Sequence, residues 1–355
     1  MTTAPIPIDE AKLDAFLGRA LEDVGGVLTA ALVMVGDELG LYKAMADGPV
    51  TASELARRTG TRERYIREWL AQQAASSYVT YDPGTGAYTL PAEHAVALTD
   101  EASPAFVVGG FQGALGAVRS RARLADAFRS GEGIGWHEHD SQLFEGTCRF
   151  FGPAYRNFLV QSWIPACDGL VERLRQGARV ADVGVGLGLS TVLMAQAFPG
   201  SAVFGFDAHE ESIEAARRRA ASEGLENVSF VVANAKEIPG PSYDLIATMD
   251  CLHDLGDPVG AARHFRGRIA DDGYWLIVEP RAGDNIEENL NPLGRAYYGF
   301  STLVCTPGSL SQEVGLGLGA QAGEARLREV ATLGGFTRFR RVAESPINLV
   351  FEARP

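Results

Sequence analysis

Cysteine is scarce in this sequence, lysine scarcer still, and long apolar runs are missing. The four cysteines, Cys148, Cys167, Cys251 and Cys305, lie far apart and form no C-x-x-C pair. That argues against a zinc knuckle and against a disulfide framework, and a reducing cytosol is the expected setting. The longest apolar stretch, Pro104 to Val118, is broken by Gly and Gln. It falls short of the ~20 residues that span a bilayer. The opening segment MTTAPIPIDEAKLDAF has acids where a secretory leader needs cations and then an apolar run. Lysine occurs only at Lys12, Lys43 and Lys236, and 32 Lys+Arg against 45 Asp+Glu leave a net charge of −13. Such a chain repels phosphate backbones and anionic membrane surfaces. These absences predict a soluble cytoplasmic protein that binds neither nucleic acid nor membrane.

What is present is an ordinary globular composition, 46% hydrophobic and 22% charged over 355 residues. That length predicts about two domains and a core of good size without metals or cross-links. The chain changes character near residue 170, which suggests boundaries at 1–100, 101–169 and 170–355. Residues 10–46 read as amphipathic helices. T-A-S-E-L-A-R-R-T-G reads as a short helix, with Thr51 or Ser53 as a cap and Gly60 as its stop. A second helix follows, with Tyr65, Ile66, Trp69 and Leu70 on one face. Y-V-T-Y and A-Y-T-L, joined by D-P-G-T-G, form a hairpin turning at Asp82-Pro83-Gly84. Helix, helix and a two-stranded wing make a winged-helix unit. DNA binding is disfavoured, since residues 1–100 hold eight Lys/Arg and fourteen Asp/Glu. A dimerisation or substrate-covering module that keeps only the shape is the preferred reading.

From residue 179 the pattern is strand, glycine turn, helix, repeated. Strands are expected near 179–183, 202–206, 228–232, 243–248, 273–279, 336–343 and 347–353. Helices are expected near 188–198, 209–223, 257–270 and 323–333. This alternation predicts an α/β fold with a doubly wound parallel sheet. The last two strands are joined only by E-S-P, a link that permits an antiparallel hairpin and no crossover.

The run R-V-A-D-V-G-V-G-L-G-L-S ends the first of these strands and opens a helix. Gly184, Gly186 and Gly188 let the backbone approach a ligand closely. The dinucleotide fingerprint wants a glycine at 189, where this chain has Leu189. Asp182, two residues before the first glycine, suits a ligand with positive charge better than a pyrophosphate. Asp207 closes the next strand, 19 positions beyond Gly188, where a carboxylate can accept both ribose hydroxyls. Asn234 follows the third strand and can accept from an adenine amino group, with the Ala233–Ala235 backbone lining the ring. A helix cap ahead of Glu210 and Glu211 is the alternative for Asp207, and the ligand reading is preferred because three successive strand ends agree.

Through A-D-V-G-V-G-L-G, F-G-F-D, D-C-L-H-D-L-G-D-P, Y-W-L-I-V-E-P and the tail S-L-S-Q-E-V-G-L-G-L-G-A-Q-A-G-E-A-R-L, residues 170–355 resemble class I S-adenosylmethionine-dependent methyltransferases. The whole chain is similar to bacterial small-molecule methyltransferases with an N-terminal winged-helix dimerisation domain, and to the plant-type O-methyltransferases. The resemblance implies a Rossmann-like sheet with a C-terminal antiparallel hairpin. It implies S-adenosyl-L-methionine bound over Asp182, Gly184, Gly186, Gly188, Asp207, Ala208, Asn234, Ala235, Met249 and Asp250. It implies a homodimer formed through the N-terminal domain. Asn234 departs from the Asp of many relatives, and Val185 from their small residue.

The fourth strand delivers D-C-L-H-D at its carboxyl end, where ligands bind in open α/β sheets. His253 has the chemistry of a general base, and Glu279, ending the neighbouring strand, can orient its imidazole. In the plant-type enzymes the matching pair does this work; their second acid falls here on Arg326. Asp254 reads as a cap or turn residue, and a structural histidine is the alternative for His253. His137-Glu138-His139-Asp140 shows no third metal ligand at site-like spacing, so no metal is assigned and a lid or solvated loop is expected. Phe151 and Tyr155, with Phe150, and Tyr298 in the insert 283–322 are candidates for lining an acceptor pocket. The predicted function is O-methylation of a small molecule. The alternatives are N- or C-methylation without a base, donor binding without methylation, and a ligand-sensing transcription regulator.

Overall fold

The computed structural model describes residues 8–355. The seven residues before these, with which the first domain and the segment read against a leader begin, lie outside the described residues. Packing divides the chain into two units, Met1–Gln112 and Gly113–Pro355.

In the first unit the helix Glu10–Glu38 is capped by Asp9, whose side chain accepts from the Lys12 N–H. Helix Ala52–Thr59 is capped by Thr51 and stopped by Gly60 at φ +65°, as the sequence predicts. Helix Glu63–Ala75 buries Ile66, Trp69, Leu70 and Gln73. Tyr65 departs from the expected face, since it is 79% exposed. One turn of 3.6 residues places 66, 69, 70 and 73 on a common stripe and leaves 65 at its edge. Strands β1 (Thr80–Asp82) and β2 (Ala87–Thr89) form the antiparallel wing, and Asp82 holds the turn by accepting from Gly84 N–H and the Thr85 hydroxyl. On the second helix of the motif Arg64 pairs with Glu68 and Arg67 with Glu63. Its cations are thus already neutralised along its own surface.

The second unit is built on strands β3 (Arg179–Val183), β4 (Ala202–Asp207), β5 (Val228–Val232), β6 (Tyr243–Met249), β7 (Ile269–Pro280), β8 (Arg338–Glu344) and β9 (Asn348–Arg354). Their spatial order is β5-β4-β3-β6-β7-β9-β8. Strands β3 to β7 pair in parallel, while β9 runs antiparallel to both β7 and β8. The expected doubly wound sheet and terminal hairpin are both present. Helices Leu189–Ala197, Glu210–Ser222, Pro258–Arg268 and Gly323–Leu333 are among those that cover it. The central strands are apolar because both faces are covered: Val180, Leu245, Leu276 and Val350 pack on one side, Ala181, Ile246, Ile277 and Phe351 on the other.

Helix Ser141–Ala154 contains Pro153 and runs on as a π-helical segment, Tyr155–Trp163. Tyr155, Leu159 and Trp163 from that segment join the first of these core faces, so residues read as a connector are integral to the unit. A second π-helical segment, Ser301–Cys305, lies within the insert. Among the described residues no helix is long and apolar enough to cross a membrane. All four cysteines are free thiols.

Candidate functional site

The parallel strands end together, and the turns that follow them carry most of the polar residues singled out above. After β3 the chain passes Gly184 at φ +75° and Gly186 at φ +49°. At Gly184 a Cβ would lie 2.6 Å from the Cys251 sulfur, so the turn after β6 forbids a side chain there. At Gly186 a Cβ would meet nothing within 4 Å. The loop therefore presents bare backbone to open space, while Gly188 begins the helix that follows.

Asp182 is wholly buried beneath this loop. Its Oδ2 accepts from the Ser190 and Thr191 hydroxyls at 2.7 Å each. Its Oδ1 is buried and, among the described residues, accepts no hydrogen bond. Burial pushes its pKa up to about 6; the two hydroxyls oppose this, and the Asp207 charge adds to it. Asp207 closes β4 and accepts from Gly186 N–H at 2.8 Å and His209 N–H at 2.9 Å. It ties the glycine loop to the next turn, and the helix cap itself is His209. Burial raises the Asp207 pKa against those hydrogen bonds. Asn234 is exposed, with its side-chain oxygen accepting from Lys236 N–H, and Ala235 beside it is buried. Ala208 lies in the turn between Asp207 and the His209 cap.

Met249 ends β6 and Asp250 follows it. Met249 is buried in the core with Val278 and Tyr155. Asp250, at φ +51°, has both carboxylate oxygens taken: the Tyr155 hydroxyl and Asn348 Nδ2 each donate at 2.7 Å. Burial holds its pKa well above the carboxylate range. The Tyr155 hydroxyl is thus engaged by Asp250, and Phe151 stacks on its ring at 6.3 Å. Asn348 was not anticipated, although an amide inside the apolar run I-N-L-V-F is the kind of signal that marks a buried polar partner. Replacing it by Leu strands one Asp250 oxygen. Asn348→Leu is expected to cost about 1–3 kcal/mol in urea unfolding.

His253 sits in the turn Leu252–Asp254 after β6 and is 4% exposed. Its Nδ1 lies 2.6 Å from Glu279 Oε2, and the other Glu279 oxygen accepts from Leu252 N–H at 2.9 Å. One buried carboxylate thus fixes both the ring and its backbone. The expected pairing of His253 with Glu279 is present. The second acid corrects the expectation, because Asp254 Oδ1 lies 3.3 Å from His253 Nε2. Arg326 instead pairs with Glu329 on its own helix. Asp254 is no helix cap either, since Asp257 caps the following helix through Gly260 N–H. Burial by itself drives the imidazole pKa down, but Asp254 and Glu279 outweigh it and hold it well above its ordinary value. The insert contributes Cys305, whose thiol lies against both His253 and Asp254. Tyr298 is half-buried on helix Pro292–Phe300, and its neighbour Tyr297 is tied to the Ile347 carbonyl. His137 is exposed while His139 is buried against Ser120, so the two do not converge.

Residues 27–100 match the family of Rv2258c-like winged HTH domains, and residues 174–313 match a methyltransferase-domain family. An uncharacterized methyltransferase of Bacillus subtilis, YcgJ, is 32% identical over 121 residues, 33% of this chain and 47% of that protein. The chain therefore spans about half of that relative's length. Acetylserotonin O-methyltransferase of Mus musculus is 27% identical over 95% of this chain and 88% of its own. Human N-acetylserotonin methyltransferase, solved in complex with SAM, shares the fold with a TM-score of 0.69 at 18% identity over 99% of both chains. Mitomycin 7-O-methyltransferase MmcR does so with a TM-score of 0.67 at 21% identity, over 98% of this chain and 100% of its own.

Proposed function

We infer that this chain, a winged-helix domain followed by a class I methyltransferase domain, O-methylates a small-molecule acceptor with His253 as general base. It is an S-adenosyl-L-methionine-dependent methyltransferase. When bound, that cofactor supplies an electrophilic methyl carbon on a positively charged sulfur. The residues present fit it: a buried Asp182 oxygen without a donor suits a cationic group, and bare backbone at Gly186 leaves room for close approach. Asp207 would take the ribose hydroxyls, with Gly184, Gly188 and Ala208 shaping the cleft. Asn234, Ala235 and the backbone of Met249 and Asp250 would flank the remainder.

The observation that carries the base is the 2.6 Å contact of His253 Nδ1 with Glu279. In the neutral ring it fixes the tautomer so that Nε2 is the nitrogen offered to an acceptor hydroxyl. When Nε2 takes the hydroxyl proton, Glu279 and Asp254 stabilise the imidazolium that forms. The turn residue Leu252 cannot drift, because its own N–H is held by the same carboxylate. Calorimetry with S-adenosylhomocysteine tests the cofactor site directly: one molecule bound per chain is the expected result, and no heat of binding overturns it.

The chain also acts as a homodimer through its first unit. Helix Glu10–Glu38 buries only Thr29, Val33 and Gly36, yet leaves Phe16, Leu17, Leu21, Val24, Val27 and Leu28 exposed. A second copy would cover that apolar row. Light scattering should return twice the chain mass, and the double substitution Leu17→Glu, Leu21→Glu should shift it to one chain mass.

A further inference from the structure

We propose that His253, Asp254 and Cys305 form a binding site for one divalent ion of the zinc class, and that its occupation blocks the base. One ring nitrogen of His253, an Asp254 carboxylate oxygen and Cys305 Sγ all lie within 4.8 Å of one another, and Nε2 is the nitrogen that faces Asp254. Imidazole, carboxylate and thiolate are the ligand types that zinc takes, and three protein ligands with one open position are its usual arrangement outside purely structural sites.

Four features point to an ion rather than to a chance cluster. First, Asp254 Oδ1 is buried and accepts no hydrogen bond among the described residues, although Nε2 is only 3.3 Å away. The two atoms are thus placed side by side without the geometry of donor and acceptor. Second, their spacing is close to the ~3.4 Å that two ligands at ~2.1 Å show around a tetrahedral ion. Third, Glu279 holds the other ring nitrogen at 2.6 Å. A carboxylate behind a ligating histidine is how metal sites fix the ring and strengthen the nitrogen as a donor. Fourth, the Asp254 side chain is 31% exposed while His253 and Cys305 are buried, so the cluster lies beneath a residue that reaches solvent.

On binding, the Nε2 proton of the imidazolium and the Cys305 thiol proton are released to solvent, and imidazole, carboxylate and thiolate then give lone pairs to the ion. With Nε2 engaged, no lone pair is left for an acceptor proton. Inhibition therefore rests on the base reading above, whereas ion binding does not.

The test titrates the purified chain, free of donor and acceptor, with Zn²⁺ by calorimetry and with Co²⁺ by absorption. One ion per chain and a thiolate-to-cobalt charge-transfer band are expected. Cys305→Ser should abolish the band, and Cys305→Ser and Asp254→Asn should each weaken Zn²⁺ binding at least about tenfold. Glu279→Gln should weaken it by about 10–100-fold. Cys148→Ser should leave the band and the affinity in place. A band retained in Cys305→Ser, or wild-type Zn²⁺ affinity in both Cys305→Ser and Asp254→Asn, overturns the proposal. Binding of S-adenosylhomocysteine to the same samples reports on the methyltransferase reading, so either can fail alone.

Discussion

His253→Ala is expected to lower kcat by about 10²–10⁴-fold while leaving the affinity for S-adenosylhomocysteine within about twofold. The size follows from losing the group that removes the acceptor proton as the methyl group moves. The separation follows from geometry: the polar contacts of His253 are with Glu279, Asp254 and Cys305, whereas Asp182 and Asp207 lie at the ends of β3 and β4. A structural role would predict otherwise, since a collapsed turn after β6 would disturb the glycine loop through Cys251, which packs on Gly184. Chemical rescue sharpens the distinction. Added imidazole should restore part of the rate in His253→Ala, because a small base can enter the space the side chain leaves. Glu279→Gln should lower kcat in the same direction, with the ring still hydrogen-bonded but its imidazolium less stabilised. Unchanged turnover in His253→Ala would favour methylation at nitrogen or carbon, which needs no base.

The sheet was legible in the sequence because its strands are buried on both faces and read as short apolar runs between glycine turns. The terminal hairpin was legible because E-S-P is too short for a crossover. Asp182, Asp207 and His253 were singled out because each lies at or just beyond a strand end, where open α/β sheets bind ligands. What stayed hidden depends on contacts between segments distant in sequence. Asp254 looked like a turn residue, since nothing local says that its carboxylate will face the neighbouring imidazole. Cys305 comes from the insert and reaches His253 from the end of the π-helical segment Ser301–Cys305, which no periodicity of 3.6 foretells. Met249 and Asp250 came from the resemblance, and nothing local said that the Asp250 carboxylate would fasten Tyr155 and Asn348. Tyr65 was misplaced because a helix face read from large apolar and aromatic residues is wider than the stripe that packs.

Asp182 gives the second large effect, and its sign differs between stability and binding. Its pKa is about 6 in the folded chain, against 3.8 for the ordinary group. The native state therefore holds this proton more tightly than the unfolded chain does. Its contribution to stability is full below about pH 4 and is lost as pH rises to about 6. Among the described residues, the titratable neighbours are Asp207, Cys251 and Tyr155, and burial keeps the last two protonated. Asp207 is thus the one acid facing it, and repulsion from it works in the same direction as burial. A cation placed at the free Oδ1 does the reverse and favours the ionised form. Affinity for the cationic donor should rise about tenfold between pH 5 and pH 7 as the ionised fraction grows, then level off. Asp182→Asn should weaken donor binding by about 10–100-fold at pH 7 and abolish that pH dependence. The same variant should be as stable as the parent at pH 7 or more so, by up to about 3 kcal/mol, because it removes a buried charge. Calorimetric titration and thermal unfolding of one preparation measure both. Loss of affinity together with loss of stability would mean that Asp182 merely props the loop. Loss of affinity with stability retained means that its charge is there for the ligand.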